Sequence, residues 1–149
     1  MHNPTRRAFI QSLAAAPAAA VLTIPQAHAA KTRARVVVVG GGYGGAAAAK
    51  YLRVLDKNID VTLIERETTY TSCPLSNEVI SGERELKTLQ VGYNGLRRHG
   101  VNVVHDEASA IDPAKKTVTT TGGKTFAYDA LILSPGIDFN YGGVEGHSE

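Results

Sequence analysis

The sequence predicts an α/β fold built on a parallel sheet, and three observations between positions 35 and 65 support this prediction. Arg35 to Val39 is a run of four valines behind one arginine, which favours a strand buried on both faces. A glycine-rich turn at 40–45 leads into an alanine-rich segment, Ala46 to Leu52, that favours a helix. A second apolar run, Val61 to Ile64, ends at Glu65. Strand, turn, helix and strand in this order form a parallel βαβ unit.

The turn matches the pattern G-x-G-x-x-G, which in this context is typical of dinucleotide binding. The first glycine permits the tight turn, the second lets a pyrophosphate approach the backbone, and the last lets the helix pack near the sheet. The N–H groups and partial positive charge at the start of the helix attract phosphates. The predicted phosphate-binding residues are Gly40, Gly42, Tyr43, Gly44 and Gly45.

Glu65 stands at the carboxyl end of the second strand, where an acid accepts hydrogen bonds from ribose hydroxyls. A carboxylate there also repels a 2′-phosphate, which argues against NADP. We include the neighbouring Arg66 in the predicted site. The motif alone does not distinguish FAD from NAD.

The first 29 residues are predicted to be an export signal rather than part of the domain. Thr5 to Ile10 contains a twin-arginine pattern, an apolar run follows from Leu13 to Ile24, and Ala27 to Ala29 is a small-x-small cleavage site. An amphipathic helix is disfavoured because residues 8–24 carry no charge. We therefore expect a periplasmic protein whose mature residues, 30–149, are the N-terminal part of one domain. Export of a folded protein favours a tightly held flavin over a diffusible nicotinamide.

The charge and hydropathy of the chain exclude two classes of partner. Removal of Arg6 and Arg7 with the signal leaves 14 basic and 14 acidic residues, so no basic surface predicts nucleic-acid binding. The apolar part of the signal is too short for a spanning helix, and we expect no stable membrane anchor. His99, His105 and His147 lack metal-ligand spacing, so no metal site is predicted.

The segment after the βαβ unit is predicted to be irregular at first. Residues 66–74 are polar and end in Cys73-Pro74, which disfavours helix at the cysteine. We expect Ser76 or Asn77 to cap a short helix that begins near Glu78. A loop and a helix are expected over 86–98, closed by Gly100, and a third strand over 101–104.

A small antiparallel meander is predicted before the last parallel strand. Its three extended pieces are expected at 108–111, 116–121 and 124–128, with Gly122-Gly123 as a two-residue hairpin turn. A buried strand then follows from Ala130 to Leu133. This order resembles the Rossmann-like FAD-binding domain of the two-dinucleotide-fold flavoproteins. The resemblance implies that the cofactor site extends to Ala108 and to the turn Ser134-Pro135-Gly136.

Within that group, the chain resembles the flavoprotein subunit of flavocytochrome c sulfide dehydrogenase. The specific block runs from Cys73 to Ile80 and reads Cys-Pro-Leu-Ser-Asn-Glu-Val-Ile. The other segments that carry the resemblance are 38–42, 62–65, 103–106 and 111–116.

The resemblance implies a flavin-dependent oxidation of sulfide with a c-type cytochrome subunit as the electron acceptor. It implies FAD bound covalently through Cys73, as a thioether to the 8α-methyl group, with Asn77 in the cofactor site. The redox-active cysteines of that family lie downstream, and this chain has one cysteine, so we predict no catalytic residue within it.

Two other functions stay open on the residues. We expect the chain to be the N-terminal part of a longer flavoprotein, with the FAD domain incomplete at its C-terminus; the alternative is a short protein that works in a complex. An exported, non-catalytic nucleotide-binding module is one alternative function. A flavoprotein similar to sulfide:quinone reductases is the other.

Overall fold

A computed structural model describes residues 33–138 and 145–146 of the chain. The predicted signal and its cleavage site therefore lie outside the described residues. The main sheet has four parallel strands in the order β5-β2-β1-β9, with crossovers between them. Their bounds are β1 Arg35–Val39, β2 Asp60–Glu65, β5 Asn102–His105 and β9 Ala130–Leu133.

The valines of β1 explain why this strand lies in the middle of the sheet. Val36 and Val38 pack on one face against Leu63 and helix α1 (Tyr43–Leu55), whereas Val37 packs on the other face with Val118. All three valines are buried, and burying one such side chain contributes about 1.5–3 kcal/mol. A strand with apolar side chains on both faces is stable only when both faces are covered.

Between β2 and β5 the chain adds short elements on the α1 side. These are β3 (Thr69–Thr71), α2 (Ser76–Ile80), a 3₁₀ turn (Leu86–Leu89), β4 (Gln90–Gly92) and α3 (Asn94–Arg98). Strands β3 and β4 form an antiparallel pair that the sequence did not predict. Their residues pair across a long connection, so no local turn signal marks the hairpin.

The other face of the sheet is covered by the predicted meander. It consists of β6 (Ala108–Asp112), β7 (Thr117–Thr120) and β8 (Thr125–Ala127), all antiparallel. Val118 of β7 is fully buried against this face. The parallel sheet, the helix and the inserted meander confirm the predicted fold class.

Three local predictions are wrong. Neither Ser76 nor Asn77 caps α2: both lie inside it, and the cap is Leu75 in a left-handed conformation at φ 70°. The hairpin turn is longer than Gly122-Gly123, because the Thr120 N–H bonds to the Lys124 carbonyl across three residues. Strand β9 is not buried: Leu133 is 57% exposed, since among the described strands only β1 pairs with β9.

Candidate cofactor-binding site

Two glycines of the turn after β1 are required by the fold itself. Gly40 has φ +96°, and a Cβ atom there would overlap the carbonyl oxygen of Ser134. A Cβ atom on Gly45 would overlap the Gly40 carbonyl oxygen and would lie 3.3 Å from Val38 Cγ1. The first glycine therefore permits the turn and the second permits close packing of helix and strand, as the sequence predicts.

Gly42 differs from these two because the fold does not need a glycine there. Its φ is −66°, which any residue adopts, and the nearest atom to an added Cβ would be Tyr70 Cε2 at 3.5 Å. That separation is an ordinary van der Waals contact. The open space in front of Gly42 therefore fits the predicted approach of a pyrophosphate to the backbone.

The peptide groups of Gly41 are held from two sides. Its N–H donates to Glu65 Oε2 at 2.5 Å, and its carbonyl accepts from the Tyr93 hydroxyl at 3.1 Å. Tyr93 is buried, which together with the nearby Glu65 charge raises the pKa of its phenol to about 12. The hydroxyl is thus a proton donor at neutral pH. Sequence reasoning missed Tyr93, since a tyrosine 52 residues from the turn carries no local signal.

The Glu65 carboxylate has a second backbone partner, because its Oε1 accepts from the Glu67 N–H at 2.8 Å. Each carboxylate oxygen has a further lone pair, so Glu65 can still accept hydrogen bonds from ribose hydroxyls. The predicted ribose-binding acid is therefore also part of the scaffold of the turn.

A cavity of about 230 Å³ lies over the carboxyl ends of β1 and β2. Residues predicted from the sequence form much of its lining: Gly40, Glu65, Arg66, Ala108 and Pro135. The structure also places Asp106 and Glu107 there, which sequence reasoning missed. We refer to this space as the acidic cavity. Ligands of open α/β sheets bind at this end of the strands.

Asp106 fastens the meander beside the acidic cavity. Its Oδ1 accepts from the Thr121 hydroxyl at 2.7 Å and from the N–H groups of Glu107 and Gly122 at 2.8 and 3.2 Å. These hydrogen bonds, of which the one from Thr121 has the largest effect, lower the pKa of Asp106 to about 2.

Among the described residues that line the acidic cavity, Arg66 is the one with a basic side chain, and it is paired with Glu67 at 3.1 Å. The carboxylates of the cavity suit neutral hydroxyl and amino donors and disfavour an additional phosphate.

A larger cavity of about 400 Å³ lies on the α1 side of the turn. It contains Gly42 and Tyr43 of the predicted site, and tyrosines form much of its wall. The Tyr43 hydroxyl and Ser72 Oγ are 2.5 Å apart, and the rings of Tyr43 and Tyr70 meet edge to face at 5.3 Å. The predicted ribose-binding acid, Ala108 and Pro135 converge at the acidic cavity instead.

The remaining predicted residues fall into two groups. Ser134 lies beside the glycine turn: its N–H donates to the Val39 carbonyl at 2.8 Å, and its Oγ would be 2.9 Å from a Cβ on Gly44. Gly136 follows in the same irregular segment with φ +85°. Cys73 and Asn77 line neither of these two cavities. Cys73 is an exposed, free thiol next to Ser72, and Asn77 lies in α2.

The described residues contain no group of three or more histidine, cysteine or acidic side chains arranged to bind a metal ion. Within the same part of the chain, no helix has the length and hydropathy needed to span a bilayer.

Comparison with protein families decides the assignment. The model of the pyridine nucleotide-disulphide oxidoreductases matches residues 34–149. The chain belongs to this family. The described domain is accordingly the Rossmann-like FAD-binding domain of a flavin-dependent pyridine nucleotide-disulphide oxidoreductase.

Relatives within the pyridine nucleotide-disulphide oxidoreductase family include sulfide-oxidising flavoproteins. The chain is 64% identical over 45 residues to the flavoprotein chain of sulfide dehydrogenase (flavocytochrome c) from Chlorobaculum thiosulfatiphilum, covering 30% of this chain and 94% of that one. It is 34% identical over 115 residues to the sulfide-quinone reductase of Aquifex aeolicus, covering 76% of this chain and 26% of the reductase.

A solved structure of the Aquifex aeolicus sulfide:quinone oxidoreductase superposes with a TM-score of 0.69 at 33% identity. The superposition covers 73% of this chain and 26% of the other. The chain thus spans about a quarter of the length of this relative.

The residues present fit the FAD that the pyridine nucleotide-disulphide oxidoreductase fold implies. Gly42 leaves room for a phosphate where a side chain would fill it, and the start of α1 supplies N–H groups behind that space. Glu65 lies at the end of β2, where the sequence predicts the ribose contact, and its carboxylate oxygens have lone pairs that can accept further hydrogen bonds. The acidic cavity is lined by Glu65, Ala108 and Pro135, whereas Gly42 lines the larger cavity.

Proposed function

We propose that this chain is the FAD-binding portion of an exported sulfide dehydrogenase that oxidises sulfide and passes electrons to a c-type cytochrome. The observation that carries the proposal is the 64% identity over 45 residues with a flavocytochrome c flavoprotein chain. The predicted twin-arginine signal at 1–29 supports export to the periplasm, where a cytochrome acceptor would be accessible. No catalytic residue is assigned within this chain.

The chain's own residues bind and orient the cofactor. The turn at Gly42 and the start of α1 hold the pyrophosphate through backbone N–H groups. Glu65 holds the adenosine ribose, and the acidic cavity receives the adenine end. The bound flavin supplies the chemistry of accepting two electrons and releasing them singly.

We further propose that FAD is attached covalently through Cys73. The bond from Sγ to the 8α carbon would replace a C–H bond and the thiol S–H bond, and the two electrons released would reduce the flavin, which its electron acceptor would reoxidise, with the protons passing to solvent. The thiol is exposed and free. The preceding residue, Ser72, contacts Tyr43 at the start of the phosphate-binding helix. Cys73 is eight positions after Glu65, and an extended segment of eight residues spans up to about 28 Å, enough to follow a bound FAD from ribose to ring. Attachment would retain a flavin in a compartment where it cannot be replaced.

Acid precipitation of the purified holoprotein tests the attachment. We expect yellow colour in the pellet and a Cys73 peptide heavier by the mass of FAD. The Cys73→Ser variant should release its flavin into the supernatant, while Ser81→Ala serves as a matched control in the same exposed region. A colourless wild-type pellet from a yellow holoprotein would show that the cofactor is dissociable.

Sulfide-dependent reduction of acceptors by the whole protein tests the reaction. We expect electron transfer from sulfide to a soluble c-type cytochrome and little transfer to a short-chain quinone. The broader similarity to the Aquifex aeolicus sulfide-quinone reductase, with its TM-score of 0.69, favours a second candidate: a sulfide-oxidising flavoprotein that reduces quinones. Faster reduction of the quinone than of the cytochrome would favour that candidate and contradict the first.

A further inference from the structure

The peptide group between Gly41 and Gly42 is bonded through its carbonyl to the side chain of Tyr93. A peptide unit is planar and trans, so the carbonyl of Gly41 and the N–H of Gly42 point in opposite directions. The Tyr93 hydroxyl donates to that carbonyl at 3.1 Å. The N–H of Gly42 is thereby aimed away from Tyr93.

A peptide flanked by two glycines needs such a restraint more than most. Glycine adopts positive and negative φ with similar ease, so rotation of the peptide plane between Gly41 and Gly42 meets little steric resistance. The Gly41 N–H bond to Glu65 fixes the preceding peptide plane, but not this one. Within the described residues, the Tyr93 hydroxyl is the group bonded to the Gly41 carbonyl.

Tyr93 is itself held firmly enough to impose this orientation. Tyr93 is 6% exposed and belongs to the core cluster that includes Leu96 and Val103. It also lies 5.7 Å from the His105 ring. An added Cβ on Gly41 would lie 2.7 Å from the Tyr93 hydroxyl, so a glycine at 41 is what permits the approach.

We propose that Tyr93 is a positioning residue for cofactor binding, which presents the Gly42 N–H to the pyrophosphate by holding the Gly41 carbonyl. The inference rests on the proposed FAD site and adds a residue that the glycine motif does not contain. It predicts that the contribution of Tyr93 depends on the phosphates of the ligand.

The test compares Tyr93→Phe with the wild-type full chain, both in a Cys73→Ser background. Isothermal titration with FAD, ADP and adenosine measures the affinities. We expect FAD and ADP to bind about three- to tenfold more weakly to Tyr93→Phe, because one hydrogen bond that orients the turn is lost. Adenosine should bind equally to both proteins, because it has no pyrophosphate.

Tyr128→Phe is the matched control. Tyr128 is a buried tyrosine in the core cluster on the other face of the sheet, with Val37 and Val118. This variant should bind FAD and ADP as the wild type does. Thermal unfolding of both apo variants shows whether the folded state persists at the temperature of the titration.

The possible outcomes separate this inference from the proposed function. Equal FAD affinity of wild type and Tyr93→Phe would overturn the positioning role and leave the FAD site standing. Equal weakening of FAD, ADP and adenosine binding would show that Tyr93 has only a structural role, which would also overturn the positioning role. If the wild type bound no FAD, both the proposed function and the positioning role of Tyr93 would be wrong.

Discussion

Gly42→Ala separates cofactor binding from folding more cleanly than any other change in the turn. The added Cβ would lie 3.5 Å from Tyr70 Cε2, and the backbone is at φ −66°, so the fold accommodates alanine without strain. Alanine is the poorer helix cap, but it reduces the entropy of the unfolded chain. These effects oppose each other and leave the free energy of unfolding within about 1 kcal/mol of the wild type.

The effect on FAD should be much larger. A methyl group at Gly42 occupies the space through which a phosphate reaches the backbone N–H groups, and each charge-assisted hydrogen bond lost contributes about 1.5–3 kcal/mol. Loss of one such bond weakens binding by roughly ten- to a hundredfold.

Fluorescence titration with FAD and urea unfolding of the apoprotein measure the two quantities, both in a Cys73→Ser background so that covalent attachment cannot hide a loss. Gly40→Ala is the contrasting control, because φ +96° and the Ser134 carbonyl make it destabilising by at least about 1–3 kcal/mol. Wild-type FAD affinity in Gly42→Ala would refute the assignment of this turn to the pyrophosphate.

Three further predictions concern other parts of the chain. Glu65→Gln should weaken FAD binding by about one decade or more in the same titration, since the charge-assisted bonds to ribose become neutral and the amide NH2 group cannot accept from either the Gly41 or the Glu67 N–H; unchanged affinity would mean that Glu65 contributes to FAD binding neither through the ribose nor through the turn. Arg35 lowers the pKa of Asp129 to about 2, so this pair stabilises the fold above about pH 4 and loses its effect as the pH falls toward 2. In urea unfolding the stability difference between wild type and Asp129→Asn should therefore shrink over that range, and a constant difference would contradict the linkage. Replacement of both Arg6 and Arg7 by lysine should leave the precursor in the cytoplasm, as fractionation and N-terminal sequencing would show; normal processing would exclude the twin-arginine route.

The central part of the fold was predictable because its signals are local. Four consecutive valines, a glycine turn and an alanine-rich segment each favour one structure, and the predicted strand and helix are found at Arg35–Val39 and Tyr43–Leu55. The meander was also predictable, from β-branched residues between turn signals. The exposure of β9 was not predictable, because the burial of a strand depends on which elements cover it and not only on the apolar character of Ala130 to Leu133.

The positions of the candidate-site residues were predictable only where a motif encodes them. Gly40, Gly42 and Glu65 lie at the positions that the βαβ pattern assigns to them, because sequence spacing fixes their places at the ends of neighbouring strands. Tyr93 reaches the same turn from β4 and α3, an approach created by tertiary packing. The place of Asp106 likewise depends on tertiary contacts, its hydrogen bonds to Thr121 and Gly122 at the turn of the meander.

The double engagement of the Glu65 carboxylate limits how the nucleotide preference of this domain could be redesigned. Exchanging the acid after the second strand for a small or basic residue is the obvious route to a site that accepts a more highly phosphorylated nucleotide. In this chain the same exchange removes the acceptor for the N–H groups of Gly41 and Glu67. Ligand choice and turn architecture thus depend on one side chain. A successful redesign must supply a new acceptor for these two N–H groups at the same time as it changes the contact to the nucleotide.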